Sequence, residues 1–264
     1  MKHLFVKTEN HQRFMAAVSM LESRGSPERC LLPVIGAPGV GKTRVVDNWG
    51  SMVDAVLVEG IPGMTLGYLK AALKAETKIT ERGAFAEFRA LAEFFSGDRE
   101  AGVPARPIIL DECQHGFPNK AECIEYLRRL AETAETMLVL VCHSSEAYLL
   151  GKYDHIKSRV GCVCTLQPPT LEDAALYARE LCEVELDDAL IGQVFQQSGA
   201  RYRLIADALA NLERIAEKMG KTALTLADVA GLPLCQDWEK ALRPSVQKQA
   251  AAPATERKAR GGRK

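Results

Sequence analysis

The sequence predicts an α/β protein: a three-layer core in which helices cover both faces of a mostly parallel sheet, followed by a small C-terminal all-helical domain. Two observations lead to this prediction. Up to about residue 167, short apolar runs alternate with segments whose apolar residues recur every three or four positions, and from Pro168 onward only helical patterns follow. We therefore expect an α/β domain over 1–167, a helical lid domain over 168–243 and a disordered basic tail over 244–264.

The α/β part is predicted to begin with a helix that Thr8 caps and whose Phe14 and Val18 share one face. The predicted elements are, in order, helix 8–24, strand 30–35, helix 42–49, strand 54–59, helices within 65–78 and 81–95, strand 107–110, helix 120–135 and strands 137–142 and 162–166. The lid is predicted to contain helices at 171–182, 187–198 and 201–219 and a short one near 225. Thr170 and Asp173 form a capping-box pattern at the start of the first of these.

The composition limits where function can reside. The 264-residue chain is 47% hydrophobic, enough to bury a core, and its 34 basic and 34 acidic residues cancel, so nucleic acid can bind only through a local basic patch. No apolar run approaches the roughly 20 residues that span a bilayer. The N-terminus MKHLFVKTEN lacks the apolar stretch of a secretory signal, so we expect a cytoplasmic protein without membrane contact.

The glycine-rich loop after the first strand matches the phosphate-binding pattern G-x-x-x-x-G-K-[ST] in full, in its strand–loop–helix context. Its backbone N–H groups can close around phosphates, and the helix N-terminus adds a favourable dipole. Lys42 is expected to reach the β- and γ-phosphates of ATP, and the Thr43 hydroxyl to ligate Mg²⁺. The expected nucleotide-binding residues are Gly36, Ala37, Pro38, Gly39, Val40, Gly41, Lys42, Thr43 and the adjoining Arg44.

Catalytic candidates follow two later strands. The apolar run IILDE ends in Asp111 and Glu112, at the strand end where open α/β sheets bind ligands. Asp111 would hold Mg²⁺, directly or through water, and Glu112 would orient and deprotonate an attacking water; the alternative is a helix cap beside a solvated acid. After the fourth strand, His143 or Ser144 would lie between the acids and the γ-phosphate, unless this is an ordinary strand-to-helix turn.

Two arginines are candidates for contacts with the γ-phosphate. Arg159, just before the fifth predicted strand, would act as an arginine finger on the nucleotide of a neighbouring subunit. The alternative is a solvated or salt-bridged surface arginine. Arg203, at the start of the third lid helix, would touch the nucleotide from the lid side, and we prefer it to Arg201.

Taken in order, the segments GAPGVGKT, IILDE, CHSS, SR and GARYR resemble the motifs of the AAA+ ATPases and cover about residues 30–210. The lead-in FVKTENHQRFMAAVSMLESRG, the loop GAPGVGKTRVVDNW and the segment DECQH are similar to one branch, the transposition ATPases. That branch includes the phage Mu transposition protein B and the target-selection ATPases of Tn7-like elements. A His often follows the acids there, and here it would be His115.

The resemblance implies a specific way of working. Members use ATP and Mg²⁺, form a homo-oligomer as a ring or helical filament on double-stranded DNA, and recruit or stimulate a transposase. Hydrolysis to ADP, which is slow in the isolated chain and coupled to assembly, releases the DNA. If the protein is phage-encoded, this takes place in the cytoplasm of the bacterial host.

A candidate DNA-binding surface lies on the predicted helix after the second strand. Lys70, Lys74 and Lys78 recur at i, i+4 and i+8, opposite the apolar face, so three ammonium groups can follow a phosphate backbone. The resemblance places DNA contacts on elements after the second strand. The alternative is a solvated helix face with acidic neighbours. The basic tail would bind phosphates or a partner, or only solubilise the chain.

Two other functions stay open at this point. An AAA+ helicase loader or initiator-like ATPase would bind single-stranded DNA or a helicase in place of a transposase. A P-loop signalling or adaptor ATPase would bind no DNA and would pack its helical domain on a protein partner. A small-molecule kinase is disfavoured, because the arginine-finger candidate and the helical lid are typical of oligomeric ATPases.

Overall fold

A computed structural model describes residues 1–98 and 100–235. Its elements are α1 (Glu9–Glu22), β1 (Leu31–Gly36), α2 (Lys42–Met52), β2 (Val56–Glu59), α3 (Leu66–Thr77), α4 (Ala84–Ser96), β3 (Ile108–Asp111), α5 (Pro118–Thr133), β4 (Leu138–His143), α6 (Tyr148–Gly151), α7 (Asp154–Lys157), β5 (Cys164–Thr165), α8 (Leu171–Leu181), β6 (Glu185–Leu186), α9 (Asp188–Ser198), α10 (Tyr202–Met219) and β7 (Ala223–Leu224). Short 3₁₀ turns span Cys113–Gly116, Ser144–Glu146 and Leu226–Val229. The alternation of strands and helices up to β5, followed by a mainly helical region, confirms the predicted fold class.

Five parallel strands form one sheet in the order β2-β3-β4-β1-β5. In the register of β1 and β4, Gly36 lies beside His143, and in that of β2 and β3, Glu59 lies beside Asp111. Because every pair is parallel, the carboxyl ends of the strands share one edge of the sheet. The three adjacent strands β3, β4 and β1 therefore end side by side.

The central strands are buried on both faces, which explains their continuous apolar sequences. Leu138 and Leu140 of β4 pack into a cluster with α3, α4 and α5, whereas Val139 and Val141 pack into a second cluster with α1 and α2. This period of two places one helical layer on each side of the sheet. The observed layers agree with the three-layer core expected from the sequence.

Helix caps occur where the sequence indicates them. The Thr8 hydroxyl accepts a hydrogen bond from the His11 N–H at 3.4 Å and begins α1. Thr170 and Asp173 form the reciprocal capping box at the start of α8. Both N-cap predictions are confirmed.

The lid has its own apolar core, formed by α8, α9 and α10 with side chains such as Leu190, Ile205 and Leu212. Val6, from the segment before α1, also packs into this core. The lid additionally contains a two-residue parallel pair, β6 with β7, which the sequence did not indicate because two residues are too short to show an alternating pattern. The end of the proposed lid and the proposed basic tail, 236–264, lie outside the described residues.

Three local features differ from the sequence-based expectations. The helix after β2 ends at Thr77, and Lys78 follows it in a left-handed conformation with φ 58°. β5 is only two residues long, because it pairs only with the end of β1. Asn119 to Ala121 adopt left-handed torsions at the start of α5. Within 1–98 and 100–235, no helix combines the length and apolarity needed to cross a membrane.

Candidate nucleotide-binding site

The loop between β1 and α2 has the shape of a phosphate cradle. Gly39 and Gly41 both have φ of 84°, in the left-handed region that glycine adopts without strain. A Cβ at Gly36 would lie 2.7 Å from the Val40 side chain, so the loop closes tightly on the end of the strand. The loop ends at Lys42, where α2 begins and presents its N-terminal N–H groups.

Lys42 is buried at the base of the loop. Its ammonium group donates hydrogen bonds to the carbonyl oxygens of Gly36 at 2.9 Å and Ala37 at 3.1 Å. Burial lowers the pKa of Lys42, and the nearby carboxylates of Glu112 and Asp111 oppose that shift. The ammonium group is thus kept inside the loop, in the position from which it could contact phosphate oxygens.

Asp111 links the end of β3 to the beginning of α2. Its Oδ2 accepts a hydrogen bond from the Thr43 hydroxyl at 2.6 Å, and its Oδ1 accepts one from the Glu112 N–H at 2.8 Å. A hydroxyl and a carboxylate side by side are hard oxygen ligands of the kind that Mg²⁺ prefers, usually together with water and phosphate oxygens. The two residues therefore fit a Mg²⁺ ion that accompanies a nucleotide. Within the described part of the chain, no group of three or more His, Cys, Asp or Glu residues forms a separate metal site.

His143 joins the loop lysine to the second acid. Its Nδ1 lies 3.3 Å from Lys42 Nζ, and its Nε2 lies 3.5 Å from Glu112 Oε2. Because the ammonium group can only donate, Nδ1 accepts, and the neutral ring then carries its proton on Nε2, facing the carboxylate. Of the two polar residues expected after β4, His143 lines the cleft, while Ser144 is exposed and is not among the cleft residues.

Glu112 is held in place by contacts that the sequence did not reveal. The residue has a left-handed backbone, with φ 49°, and Gln114 Nε2 donates a hydrogen bond to its carboxylate. A Cβ on Gly60 would lie 2.5 Å from the Glu112 carbonyl oxygen, so the chain after β2 packs directly on the backbone of the acid. The only sequence signal for the hydrogen bond between Gln114 and the Glu112 carboxylate is that the two residues lie two positions apart.

Lid residues close one side of a cleft of about 520 Å³ over the loop. The residues around it are Pro38, Gly39, Gly41, Lys42, Thr43, Arg44, Glu112, His143, Tyr177, Tyr202, Arg203, Ala206 and Asp207. The rings of Tyr177 and Tyr202 lie 5.0 Å apart, and burial raises the pKa of both phenols. Sequence reasoning missed both tyrosines and Asp207, because their place at the cleft depends on how the lid docks on the core.

Three arginines lie near the cleft, and each has a different position relative to it. Arg203 is exposed and lines the cleft from the lid side, and its contact with a nucleotide stays a prediction. Arg201 lies outside the lining but packs against the loop, since a Cβ on Gly39 would meet its side chain at 3.7 Å. Arg44 lines the cleft and donates a hydrogen bond to the Leu4 carbonyl oxygen at 2.9 Å.

Arg159 lies far from the loop of its own chain. Its carbonyl oxygen accepts a hydrogen bond from the N–H of Leu31, the first residue of β1, whereas the loop follows the last residue. The guanidinium group makes an ion contact with Glu132, with Nε 3.0 Å from Oε1. The structure therefore does not bring Arg159 to the intramolecular site, and a role in a neighbouring subunit stays a prediction.

The three candidate DNA-binding lysines do not form the free stripe that their spacing suggests. Lys70 and Lys74 both pair with Glu87 of α4, at 3.4 and 3.6 Å, and Lys70 Nζ lies 5.1 Å from the centre of the Tyr126 ring. Lys78 is exposed but lies beyond the end of the helix. The expectation of a free i, i+4, i+8 stripe was wrong for two reasons. Glu87 of α4 pairs with Lys70 and Lys74, and α3 ends at Thr77, one residue before Lys78. Their contact with DNA stays a prediction.

No family model matches the sequence, and no curated protein matches it. Among solved structures, the chain is similar to Cdc6p from Pyrobaculum aerophilum, at 18% identity over 87% of this chain and 66% of that protein, with a TM-score of 0.61. It is similar to ORC2 from Aeropyrum pernix, solved in ADPNP–ADP complexes, at 16% identity over 86% and 68%, with a TM-score of 0.60.

It is also similar to the Holliday junction branch migration motor RuvB from Thermotoga maritima, at 18% identity over 85% of this chain and 67% of that one, with a TM-score of 0.55. At such low identities the likenesses establish the fold alone. The chain spans about two thirds of the length of these proteins. None of the three is named as a transposition protein, so that branch stays a prediction.

Replacing Gly60 by Ala tests the packing beneath Glu112. The added methyl group meets backbone atoms, which have little room to move, so we expect the free energy of unfolding to fall by about 1–3 kcal/mol. Urea-induced unfolding measures the change. Gly192→Ala in α9 is the control: its Cβ would enter open space, and a gain of roughly 0.5–1 kcal/mol is expected in a helix. Wild-type stability of Gly60→Ala would contradict the close packing.

Proposed function

We propose that the chain is an ATP-hydrolysing AAA+ protein that binds double-stranded DNA as a homo-oligomer, in the manner of an initiator or helicase loader. The observation that carries the proposal is the meeting of Lys42, Thr43, Asp111, Glu112 and His143 at the ends of three adjacent strands. The similar fold of ORC2, solved in ADPNP–ADP complexes, supports nucleotide binding. The similar fold of RuvB, a motor named for a DNA junction, supports DNA as the partner.

In this proposal each side chain has a defined task. The N–H groups of the loop and the Lys42 ammonium group bind the β- and γ-phosphates. Thr43 and Asp111 would hold Mg²⁺, which would supply neutralisation of the charge on the phosphate oxygens. Glu112 orients a water toward the γ-phosphate and accepts its proton. His143 directs its Nε2–H group at the Glu112 carboxylate and so keeps that acid oriented.

Two arginines would complete the site from different directions. Arg203 reaches the phosphates from the lid, which makes lid position part of nucleotide recognition. Arg159 lies at the opposite edge of the sheet from its own loop, so it would serve only the nucleotide of a neighbouring subunit. Dependence on a residue from another copy would make hydrolysis slow in the single chain and faster in a ring or helical filament.

A second candidate function is the recruitment or activation of a transposase. It is favoured by the resemblance of the DECQH segment, in which the His115 N–H donates a hydrogen bond to the Glu112 carbonyl oxygen at 3.1 Å. The likeness to Cdc6p and ORC2 favours the initiator-like function instead. Both candidates bind duplex DNA and differ in their protein partner: the first engages a helicase, whereas the second stimulates strand transfer by a transposase.

We expect the binding of duplex DNA to require ATP or a non-hydrolysable analogue. Lys42→Ala removes the phosphate contact and should abolish both nucleotide binding and DNA binding. Glu112→Gln keeps nucleotide binding but removes the base, so hydrolysis should fall by about 100-fold or more and the DNA complex should persist. Fluorescence anisotropy of a labelled duplex and phosphate release measure the two effects.

Two outcomes would contradict this function. Duplex binding that is unchanged by both substitutions, and by omission of nucleotide, would show that nucleotide does not control DNA. Nucleotide binding without any affinity for DNA would favour the signalling or adaptor ATPase.

Replacing Lys70, Lys74 and Lys78 together by Ala tests the proposed DNA surface. For every ammonium–phosphate pair that the substitutions remove, the slope of log affinity against log salt should fall by about 0.9, with nucleotide affinity unchanged. A control triple replacement of the exposed Lys7, Lys152 and Lys218 removes the same charge elsewhere. Equal effects of the two variants would remove α3 from the DNA interface, and loss of nucleotide binding would show a structural role.

A further inference from the structure

Asn10 is a buried residue whose side chain bonds to two backbone segments distant in the sequence. Its Nδ2 donates to the carbonyl oxygens of Gln167 at 2.7 Å and Val40 at 3.2 Å, and its Oδ1 accepts from the Gln167 N–H at 3.0 Å. The residue is 4% exposed. Thr8 already caps α1, so the Asn10 amide is not needed to begin the helix. Both Nδ2 protons are used in these tertiary contacts.

The contact with Val40 fixes one peptide plane of the phosphate-binding loop. Val40 lies between Gly39 and Gly41, whose backbones have the freedom that glycine alone provides. In a trans peptide, the carbonyl and the following N–H point in opposite directions. Since the Val40 carbonyl points at Asn10, the Gly41 N–H points away from it. Gly41 lines the cleft, so this N–H is available to a phosphate.

The contacts with Gln167 fix the connector that leads from the sheet to the lid. Leu166 is bonded to β1 through its N–H, so the connector leaves the core directly beside the strand that feeds the loop. Pro168 and Pro169 follow, and their rings fix the backbone φ. α8 begins two residues later. Two prolines alone therefore separate Gln167 from Thr170, the N-cap of α8.

We propose that Asn10 is a positioning residue that couples the lid to the phosphate-binding loop; this inference rests on the proposed nucleotide-binding function. A movement of the lid rotates the Gln167 peptide, displaces the Asn10 amide and tilts the Val40–Gly41 peptide plane. In the reverse direction, a phosphate on the Gly41 N–H steadies Asn10 and the connector. The two effects have the same free energy, because coupling between two sites is reciprocal.

A purely structural role for Asn10 makes a different prediction. α1 is attached to the core by its own apolar face, with Phe14, Val18 and Leu21 buried and Phe14 packed against Trp49. Loss of the Asn10 amide therefore leaves the helix docked while it frees the loop and the connector from each other. If Asn10 only stabilises the fold, its replacement should change the free energy of unfolding alone. If Asn10 couples the lid to the loop, its replacement should also change nucleotide affinity and the effect of nucleotide on the connector.

The experiment compares Asn10→Ala and Asn10→Asp with the wild-type chain and with Gln12→Ala, an exposed control on the same helix. The Asp variant keeps the size of the side chain but presents a carboxylate to two carbonyl oxygens. Titration with fluorescent ADP and ATP analogues should show affinity weakened on the order of tenfold in both Asn10 variants, with the control unchanged. Wild-type affinity in both variants would overturn the inference while leaving the proposed function intact.

A second measurement uses the wild-type chain, in case the variants fail to fold. Pro168 and Pro169 carry no N–H, so hydrogen exchange over 166–169 reports only Leu166 and Gln167. Addition of ADP should slow this exchange, although the connector does not line the cleft. Tight ADP binding without a change in connector exchange would overturn the coupling. Failure of the wild-type chain to bind any nucleotide would overturn the proposed function, and the coupling with it.

Discussion

The hydrogen bond between Thr43 and Asp111 is the contact on which the candidate site depends. It joins the helix after β1 to the end of β3, across the intervening strand β4. Neighbouring strands are about 4.8 Å apart. A side chain that follows β1 can therefore meet one at the end of β3 only above β4, the strand between them. His143, the last residue of β4, lies there, within 3.3 Å of Lys42 Nζ and 3.5 Å of Glu112 Oε2. The site is thus a consequence of the strand order as much as of the glycine-rich loop.

The sequence was sufficient for those parts of the site that follow from local chemistry. The loop from Gly36 to Thr43 has a fixed spacing, and Asp111 and Glu112 end an apolar strand, so their structural context could be predicted without the fold. The side-by-side arrangement of β1, β3 and β4 could not be predicted from the sequence, because the sequence does not show which strands pair. Residues that depend on the docking of the lid, such as Tyr177, gave no signal for the same reason.

The lysine stripe shows how a periodic pattern can mislead. A spacing of four residues places Lys70 and Lys74 on one face of α3, but it does not show that Glu87 of the next helix faces them. Nor does it show that the helix ends at Thr77, which separates Lys78 from the stripe. Asn10 presents the opposite case: its three tertiary hydrogen bonds leave no trace in the local sequence, yet they join the loop to the connector that leads to the lid. Both examples reflect contacts between elements distant in the chain.

In the proposed function a nucleoside triphosphate binds on the loop between β1 and α2, with Mg²⁺ beside Thr43 and Asp111. A crystal structure of the chain with Mg²⁺ and a non-hydrolysable ATP analogue tests it most directly. We expect the phosphates to lie on the N–H groups of the loop, with Lys42 Nζ turned from the carbonyl oxygens of Gly36 and Ala37 to a phosphate oxygen. A nucleotide bound elsewhere, with both carbonyl contacts of Lys42 retained, would show that the loop is not the nucleotide-binding site.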